Sequence, residues 1–453
     1  MSGVRGDREG RLLIAGVSVR ALAASVAASR RARALFPAGF IALDYFGDAD
    51  LLSLASRQGD SRHDGSRDGV PLHGNRVLAL GRDLGLPRTV PALGRAALAL
   101  EWRAIVYAGG LENRPALLRR LERRGRILGN GAAEVTGVRD PATLFGYLEA
   151  QGIPHAPTFP DRARAPRSAV RRYLWKPVRS GGGAGVRPAA PGERRPPRHC
   201  LQAFLDGPVG SAAFVGDRLR AVILGVTEQI VGAPELGGSG FRYGGNIAGP
   251  PRDLLPPGAL APLSRAGSAL AARFSLRGLF GIDYVVSSGL PHLIEVNPRY
   301  TASMELFEEM TARNLFDLHL RAIEDGLLPA GPLAPRRASP RFLAKGILYA
   351  QSPVRAGAPD ALLALGCRDV PVPGEEIGTG QPICTLVAAG ESPAACRERL
   401  ALTAEAARRA LARGTVAAVA PARSHARRPP VSRPLDRPRG RAVAAFRGAR
   451  RSW

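Results

Sequence analysis

Residues 280–299 constrain the fold more than any other stretch of this chain. Two apolar runs flank a turn centred near Gly289 and read as a β-hairpin. With that centre Asp283 lies directly opposite Glu295, the two Cβ atoms ~5 Å apart on one face. Glu295, Asn297 and Arg299 recur at period two and share that face if the strand continues past Pro298. Ile282, Tyr284, Ile294 and Val296 take the other face, toward a core. Two carboxylates opposed on paired strands repel, and the pairing makes sense if a cation sits between them. Asp, Glu and Asn are all oxygen ligands, which suits Mg²⁺ held together with substrate phosphates. The plainer alternative is an edge hairpin with solvated polar residues; the strictly apolar reverse face fits it less well.

A second segment, Tyr173–Val186, places Lys176 on a strand and follows it within four residues by Ser180-Gly181-Gly182-Gly183-Ala184-Gly185. Glycines let backbone N–H groups approach phosphate oxygens closely and form an anion-binding concavity. A lysine adds a mobile point charge where an arginine would impose a planar fork. The lysine precedes the glycines, so this is not a Walker loop. A flexible surface hairpin beside an ordinary lysine is the competing reading.

Composition makes that lysine conspicuous. The chain carries 64 basic and 38 acidic residues, a net charge of +26, yet only Lys176 and Lys345 are lysines. Such a skew reflects a general bias toward Arg, Ala, Gly and Pro, so the charge is weak evidence for a polyanionic partner. Nucleic acid is not expected as the main partner. No apolar run approaches the ~20 residues that span a bilayer, and Met1–Gly10 lacks a signal-peptide core. A cytoplasmic protein without a membrane partner is expected. Cys200, Cys367, Cys384 and Cys396 are widely spaced with no C-x-x-C, so neither a zinc site nor a disulfide framework is indicated.

The N-terminal part alternates strands (11–16, 40–44, 104–110, 126–130) with helical patterns, the first helix running from Val19 to about Arg33. That alternation predicts an α/β fold with an open parallel sheet whose post-strand loops face a ligand crevice. Residues 56–75 read as a mobile loop. Asp140–Gln151 reads as a helix with Asp140 as N-cap and Pro141 at its first position. A third, β-rich region spans about 340–390 and ends in a helix near 393–413. Arg423–Arg451 holds ten arginines and one acid and reads as a disordered tail. The expected division is a Rossmann-like domain at 1–125, a nucleotide-binding and catalytic unit at 126–333, a small β-rich C-terminal domain at 334–415 and the tail at 416–453. Association into a homodimer is left open.

A strand lysine with a glycine-rich loop, then an Asp strand and a Glu-x-Asn-Pro-Arg strand, resembles the ATP-grasp superfamily, which includes biotin carboxylase, glutathione synthetase and D-alanine–D-alanine ligase. The resemblance covers roughly residues 10–390 and is strongest over 170–310. It implies an ATP-grasp fold, ATP as cofactor, and Mg²⁺ (Mn²⁺ as a substitute) on Asp283, Glu295 and Asn297. It implies catalytic roles for Arg299, facing the reacting phosphate and acyl groups, and for Lys176 on the nucleotide phosphates. Ser180, Gly181, Gly182, Gly183 and Gly185 would close over those phosphates. Gln202, Ala203, Phe204 and Leu205 would form the hinge that reads the adenine, with Ala203 where the family often has Glu. The lysine usual before the helix at 140–151 is absent, and Arg139 is its nearest substitute. Thr227-Glu228-Gln229, Phe241–Asn246 and Thr301, Ser303, Glu305 and Glu308 are candidates for the acceptor site, the last group opening a helix.

The function implied is an ATP- and Mg-dependent ligase that joins a small-molecule carboxylate to an amine through an acylphosphate. Phe46-Gly47-Asp48-Ala49-Asp50 and Asp369–Gly374 resemble members described as carboligases, some found with one-carbon pterin or methanofuran coenzyme pathways. A bicarbonate-activating ATP-grasp carboxylase is the nearest alternative, and an Arg-rich nucleic-acid-binding protein is the alternative of another class.

Overall fold

A computed structural model describes residues 10–57, 74–159, 172–190 and 192–418. Most of the loop expected at 56–75 and nearly all of the basic tail lie outside the described residues.

The N-terminal part is an all-parallel sheet of β1 (Leu12–Ala15), β2 (Phe40–Asp44), β3 (Arg76–Ala79), β4 (Ala104–Tyr107) and β5 (Arg126–Ile127), in the order β3-β2-β1-β4-β5. β1 and β2 are buried along their whole length. Successive β1 residues serve two cores. Leu12 and Ile14 pack with Leu22 and Val26 on one side, Leu13 and Ala15 with Leu93 and Leu118 on the other. Two-sided burial is why these strands read as unbroken apolar runs. The order reverses between β1 and β4, which places the turns after them at the ligand crevice of such sheets.

The first helix is not continuous to Arg33 as expected. It splits into Arg20–Ala28 and Arg30–Leu35 at Ser29, which is extended and accepts the Ala32 N–H on its Oγ. An N-capping serine inside an alanine-rich run starts a new helix because its side chain replaces the missing intrahelical acceptor.

A small antiparallel sheet follows, built from β6 (Thr158–Phe159), β7 (Tyr173–Pro177), β8 (Arg187–Pro188) and β9 (His199–Ala203) in the order β6-β9-β7-β8. Trp175 and Leu201 form its core. The main sheet comprises β10 (Val209–Asp217), β11 (Ala221–Val231), β12 (Tyr243–Ala248), β13 (Arg277–Ser287), β14 (Leu290–Asn297) and β15 (Phe342–Tyr349). After the short β16 (Val354–Arg355) and β17 (Glu376–Ile377), which pair only with each other, β18 (Pro382–Gly390) completes it. Its order is β14-β13-β10-β11-β12-β15-β18. The region at 334–415 therefore adds its two long strands to the main sheet. Its closing helix runs Pro393–Ala418.

β13 and β14 pair as a hairpin, with Asp283 opposite Glu295. The route to that register differs from the simple count. The loop is the two residues Ser288 and Gly289, both at positive φ, which suits the twist of a tight hairpin. Such a loop alone would set Asp283 against Ile294. A β-bulge beside Asp283 and Tyr284 leaves Ile294 as the extra residue and moves Glu295 into place. The core face is therefore Ile282, Tyr284, Leu293 and Val296. Ile294, assigned to that face by strict alternation, lines a cavity on the other side.

Asn130, buried after β5, joins the parallel sheet to this hairpin. Its Nδ2 donates to the carbonyls of Arg277 (3.2 Å) and Pro298 (3.1 Å), and its Oδ1 accepts the Arg277 N–H (2.9 Å). Asn130→Ala should lower stability to urea by about 2–4 kcal/mol, since it leaves buried backbone groups unpaired. A loss under 0.5 kcal/mol would mean water replaces the amide.

Candidate active site

One cavity of about 450 Å³ lies where the three sheets meet. From the small sheet it is lined by Lys176, by the hinge residues Gln202, Ala203, Phe204 and Leu205, and by Ser180, Gly181, Gly182 and Gly183 of the glycine loop. From the hairpin and its exit come Asp283, Glu295, Asn297 and Arg299. Val17, Ser18 and Gly109 come from the turns after β1 and β4. The expected site residues thus converge, with one exception. Gly185 is not in the lining; a Cβ there would meet the Pro177 ring at 2.9 Å.

Glu295 is held between two cations. Lys176 Nζ lies 3.2 Å from its Oε2, and Arg139 Nη1 donates to Oε1. Burial alone would raise this carboxyl, but Lys176 and Arg139 overcome it and hold the group down at about 2. The like-charge argument made from the sequence is corrected here: the hairpin's second carboxylate is neutralised by the protein's own side chains. The bulge contributes as well. The Ile294 carbonyl accepts from Lys176 Nζ (2.9 Å) and from Gln202 Nε2 (3.3 Å).

Asp283 has no cation in contact among the described residues; Lys176 and Arg299 lower its carboxyl, but by less than burial and Glu295 raise it. Gln229 Nε2 donates to its Oδ1 (2.7 Å) and Asn297 Nδ2 to its Oδ2 (3.0 Å), and the described residues form no ion pair with it. Burial first, and then Glu295, push its carboxyl up to about 6. A half-buried carboxylate with no cation in contact, beside an asparagine that keeps its Oδ1 as acceptor, suits a hard divalent cation. Asp283, Asn297 and Glu295 are the residues that could hold one. Among the described residues no group of three or more His, Cys, Asp or Glu forms an alternative metal site.

The glycine loop is anchored at two carbonyls. Ser180 accepts from Arg139 Nη2 (3.0 Å) and Gly182 accepts the Tyr243 N–H (3.0 Å). Gly183 has φ +73°, and a Cβ there would sit 1.8 Å from the Phe241 carbonyl oxygen, so only glycine lets the loop lie so close. At the hinge, the Ala203 and Phe204 N–H groups already donate to Pro157 (2.8 Å) and Arg172 (3.0 Å). Arg299 is fixed from behind: its Nε donates to buried Glu112 (2.7 Å) and its Nη1 to the Tyr300 carbonyl (3.0 Å).

Several of these roles were not legible in the sequence. Glu112 follows a Gly109-Gly110 turn that carries no charge signal of its own. Arg139, in the sequence only the nearest substitute for a lysine, touches Glu295, Ser180 and Asn113. Of the acceptor candidates, Gln229, Phe241, Tyr243, Asn246, Thr301 and Ser303 line the cavity. Glu228 instead pairs with Arg397, Glu305 joins a buried ion cluster, and Glu308 accepts from Tyr300 (3.1 Å). The helix expected after Arg299 begins at Met304.

The cavity is bounded by three sheets and bordered by a glycine loop, and comparison with known proteins gives this fold its name. Residues 144–303 match the family model for the ATP-grasp domain, and the fold is the ATP-grasp fold. A search of curated proteins finds no match. Among solved structures, the chain is similar to Rhizobium etli pyruvate carboxylase (TM-score 0.60, 15% identity), covering 87% of this chain but only 37% of that one. It is similar to the biotin carboxylase domain of Hydrogenobacter thermophilus 2-oxoglutarate carboxylase (TM-score 0.60, 14% identity), covering 86% and 88% of the two chains. That structure holds MgADP, ADP and bicarbonate. L-amino acid ligase from Bacillus licheniformis aligns with TM-score 0.58 at 14% identity over 88% and 98%. No helix among the described residues is long and apolar enough to cross a membrane.

The two hairpin carboxylates should respond oppositely to neutralisation in metal-free protein. Glu295→Gln leaves Lys176 and Arg139 unpaired. It should cost roughly 2 kcal/mol, less than a fully buried broken pair because the Glu295 side chain is 24% exposed. Asp283→Asn removes a charge that has no ion-pair partner among the described residues and should add about 1 kcal/mol near pH 7.5. A carboxyl whose folded pKa is raised destabilises above that pKa, and the penalty fades as pH falls toward the unfolded value of 3.8. The Asp283→Asn advantage should therefore shrink between pH 7 and pH 4. Urea melts in EDTA across that range check both signs; equal destabilisation by the two variants contradicts the charge assignment.

Proposed function

We propose that this chain is an ATP- and Mg²⁺-dependent ligase that activates a small-molecule carboxylate as an acylphosphate and passes the acyl group to an amine. One observation carries the reading: Lys176, the glycine loop, the hinge, Asp283, Glu295, Asn297 and Arg299 all line a single cavity. Its volume suits a nucleotide with a small partner.

In this reading the adenine lies against the hinge, where the Leu205 N–H and the hinge carbonyls supply its polar contacts. Phe204 and Phe241, with ring centroids 6.3 Å apart, give the ring an apolar bed. The loop at 180–183 covers the phosphates with backbone N–H groups. Lys176 exchanges its contact with Glu295 for the phosphates, so its charge is already in place when negative charge spreads over the transferred group. Mg²⁺, with Mn²⁺ as a substitute, would be held by Asp283, Asn297 and Glu295, and would neutralise phosphate charge. Arg299, oriented by Glu112, directs its remaining guanidinium N–H groups at the oxyanion that forms when the amine attacks. Positioning and charge do the chemistry, and no protein nucleophile takes part. The division at 125, 333 and 415 and a cytoplasmic setting belong to the same reading.

Bicarbonate is the second candidate for activation, since a structural neighbour is seen with it beside MgADP. ADP release measured over amino acids, dicarboxylates and bicarbonate, each with and without amines, tests both. A carboxylate-and-amine requirement supports the ligase, and bicarbonate dependence supports the carboxylase. Lys176→Ala should raise the KM for ATP and lower turnover by about 10²-fold or more. Lys176→Arg should recover it only in part, because a planar fork cannot place one charge where the ammonium stood. An alanine variant with unchanged KM and rate would remove Lys176 from the phosphate site.

A further inference from the structure

A second cavity, of about 200 Å³, lies on the far side of the β1 turn from the phosphate loop. Val17 and Ser18 line both cavities. Its walls are mainly apolar, from Phe46, Ile347, Pro371, Ile383 and their neighbours, but three carboxylates and one arginine also face it. Two of those carboxylates are matched by protein cations. Glu375 accepts from Arg88 Nη2, and Asp369 accepts from Arg20 Nε (2.8 Å). Arg88 is further fixed by the Tyr45 carbonyl (3.0 Å).

The third carboxylate, Asp48, is different. It is 5% exposed, and no described side chain or backbone N–H donates to it. The other acids near it all have partners. Asp44 accepts three backbone N–H groups, from Val19 (2.7 Å), Phe46 (2.7 Å) and Gly47 (2.8 Å). Asp50 accepts the Asp369 and Val370 N–H groups and lies 3.3 Å from Arg20 Nε. Burial, reinforced by Asp44, Asp369 and Asp50, pushes the Asp48 carboxyl up. Its oxygens are not among the sealed polar atoms, so what little surface the residue retains includes them and opens to the cavity.

A buried carboxyl without donors stays protonated until a cation reaches it; among the described residues none donates to Asp48, and Arg20, which lowers its carboxyl, forms no ion pair with it. The missing partner is a cation with N–H donors. A bare metal ion fits poorly, because Asp48 stands as a single free ligand among apolar walls. An organic ammonium fits both features. An apolar cavity of about 150 Å³ holds benzene, so this one has room for a ring or a short chain.

We propose that this cavity binds a co-substrate of the ligase through an ammonium group received by Asp48, with the apolar body of the molecule against Phe46, Ile347 and Ile383. The proposal rests on the ligase reading and deepens it. One end of the ligand meets Asp48, and the other passes Val17 and Ser18 to reach the phosphate cavity. The ammonium can belong to the acceptor amine or to a second amino group on the carboxylate donor; the recognition chemistry is the same.

Calorimetric titration of the full chain, without nucleotide, with benzylamine and with benzyl alcohol tests it. The two probes share shape and differ in charge. Benzylamine should bind at least about tenfold more tightly. In Asp48→Asn the preference should fall below about twofold, with Mg·ADP affinity unchanged and the melting temperature retained or raised. Equal binding of the two probes to the wild type overturns the proposal, and needs no variant that must fold. A preference that survives in Asp48→Asn also overturns it. Failure of the wild type to bind Mg·ADP would sink the ligase reading alone, because the probe comparison contains no nucleotide. ADP release from Mg·ATP separates the two sources: release with 6-(dimethylamino)hexanoate alone, whose tertiary ammonium cannot accept an acyl group, places the ammonium on the donor, and release with benzylamine only when acetate is added places it on the acceptor.

Discussion

The structure turns on one carboxylate. Glu295 sits at the edge of the main sheet, yet it is bound by Lys176 from the small sheet and by Arg139 from the junction before the helix at 141–150. Arg139 then reaches the Ser180 carbonyl and the Asn113 side chain. Three separate pieces of chain thus meet on one anion. An ion group of this kind contributes little net stability, because desolvation opposes the Coulomb gain. What it provides is geometry, since each partner left alone would be a buried, unmatched charge. In this chain that geometry brings the lysine, the glycine loop and the hairpin to a common cavity.

A second buried anion does the same on the other side of the β1 turn. Glu305 accepts from Arg20 (2.7 Å), from Lys345 and from Arg368 (3.2 Å). Arg20 opens the first helix of the parallel sheet, Lys345 lies on β15 and Arg368 precedes the loop that carries Asp369. The three cations hold the Glu305 carboxyl far down in spite of its burial. The N-terminal sheet is therefore keyed to the main sheet by Asn130 at one end and by Glu305 at the other. Between these two ties lie the turns after β1, β2 and β4, whose residues border the cavities. A parallel sheet binds at its switch point only if something faces it. Here the facing surface is the hairpin exit at Arg299 and the loop at 369–372.

Much of this was readable from the sequence because local pattern and global fold agree. Two-sided apolar runs announced β1, β2 and β4, and Asp140-Pro141 announced its helix, where Asp140 Oδ2 does accept the Thr143 N–H (2.9 Å). The hairpin pair Asp283–Glu295 was also recoverable, although by a count that ignored the bulge. Other features were hidden for physical reasons. A bulge leaves no mark in periodicity when both residues beside it are apolar, as Leu293 and Ile294 are. Ser29 was submerged in an alanine-rich run. Ion partners distant in sequence, such as Glu112 with Arg299 or Arg20 with Asp369, carry no local signal. In a chain this rich in arginine, no single arginine stands out.

The lysines are the exception, and the structure gives a reason for it. Lys176 and Lys345 are the only two of the chain's 64 basic residues that are not arginine. Both end on a glutamate and a main-chain carbonyl at once: half-buried Glu295 with the Ile294 carbonyl, and buried Glu305 with the Ala302 carbonyl (3.2 Å). An ammonium is compact and has three donors that turn freely, so it can meet a carboxylate and a carbonyl set at an arbitrary angle. A guanidinium is planar and larger, and its donors are fixed in a fork. Arg139 already occupies one side of Glu295, and Arg20 and Arg368 already crowd Glu305, so a further guanidinium would have no flat approach. In a chain otherwise supplied with arginine, lysine stands at the two positions where a compact cation with rotating donors meets a glutamate and a carbonyl beside other guanidinium groups. Their rarity is thus a structural signal: it marks the two anions on which the cavity walls are assembled.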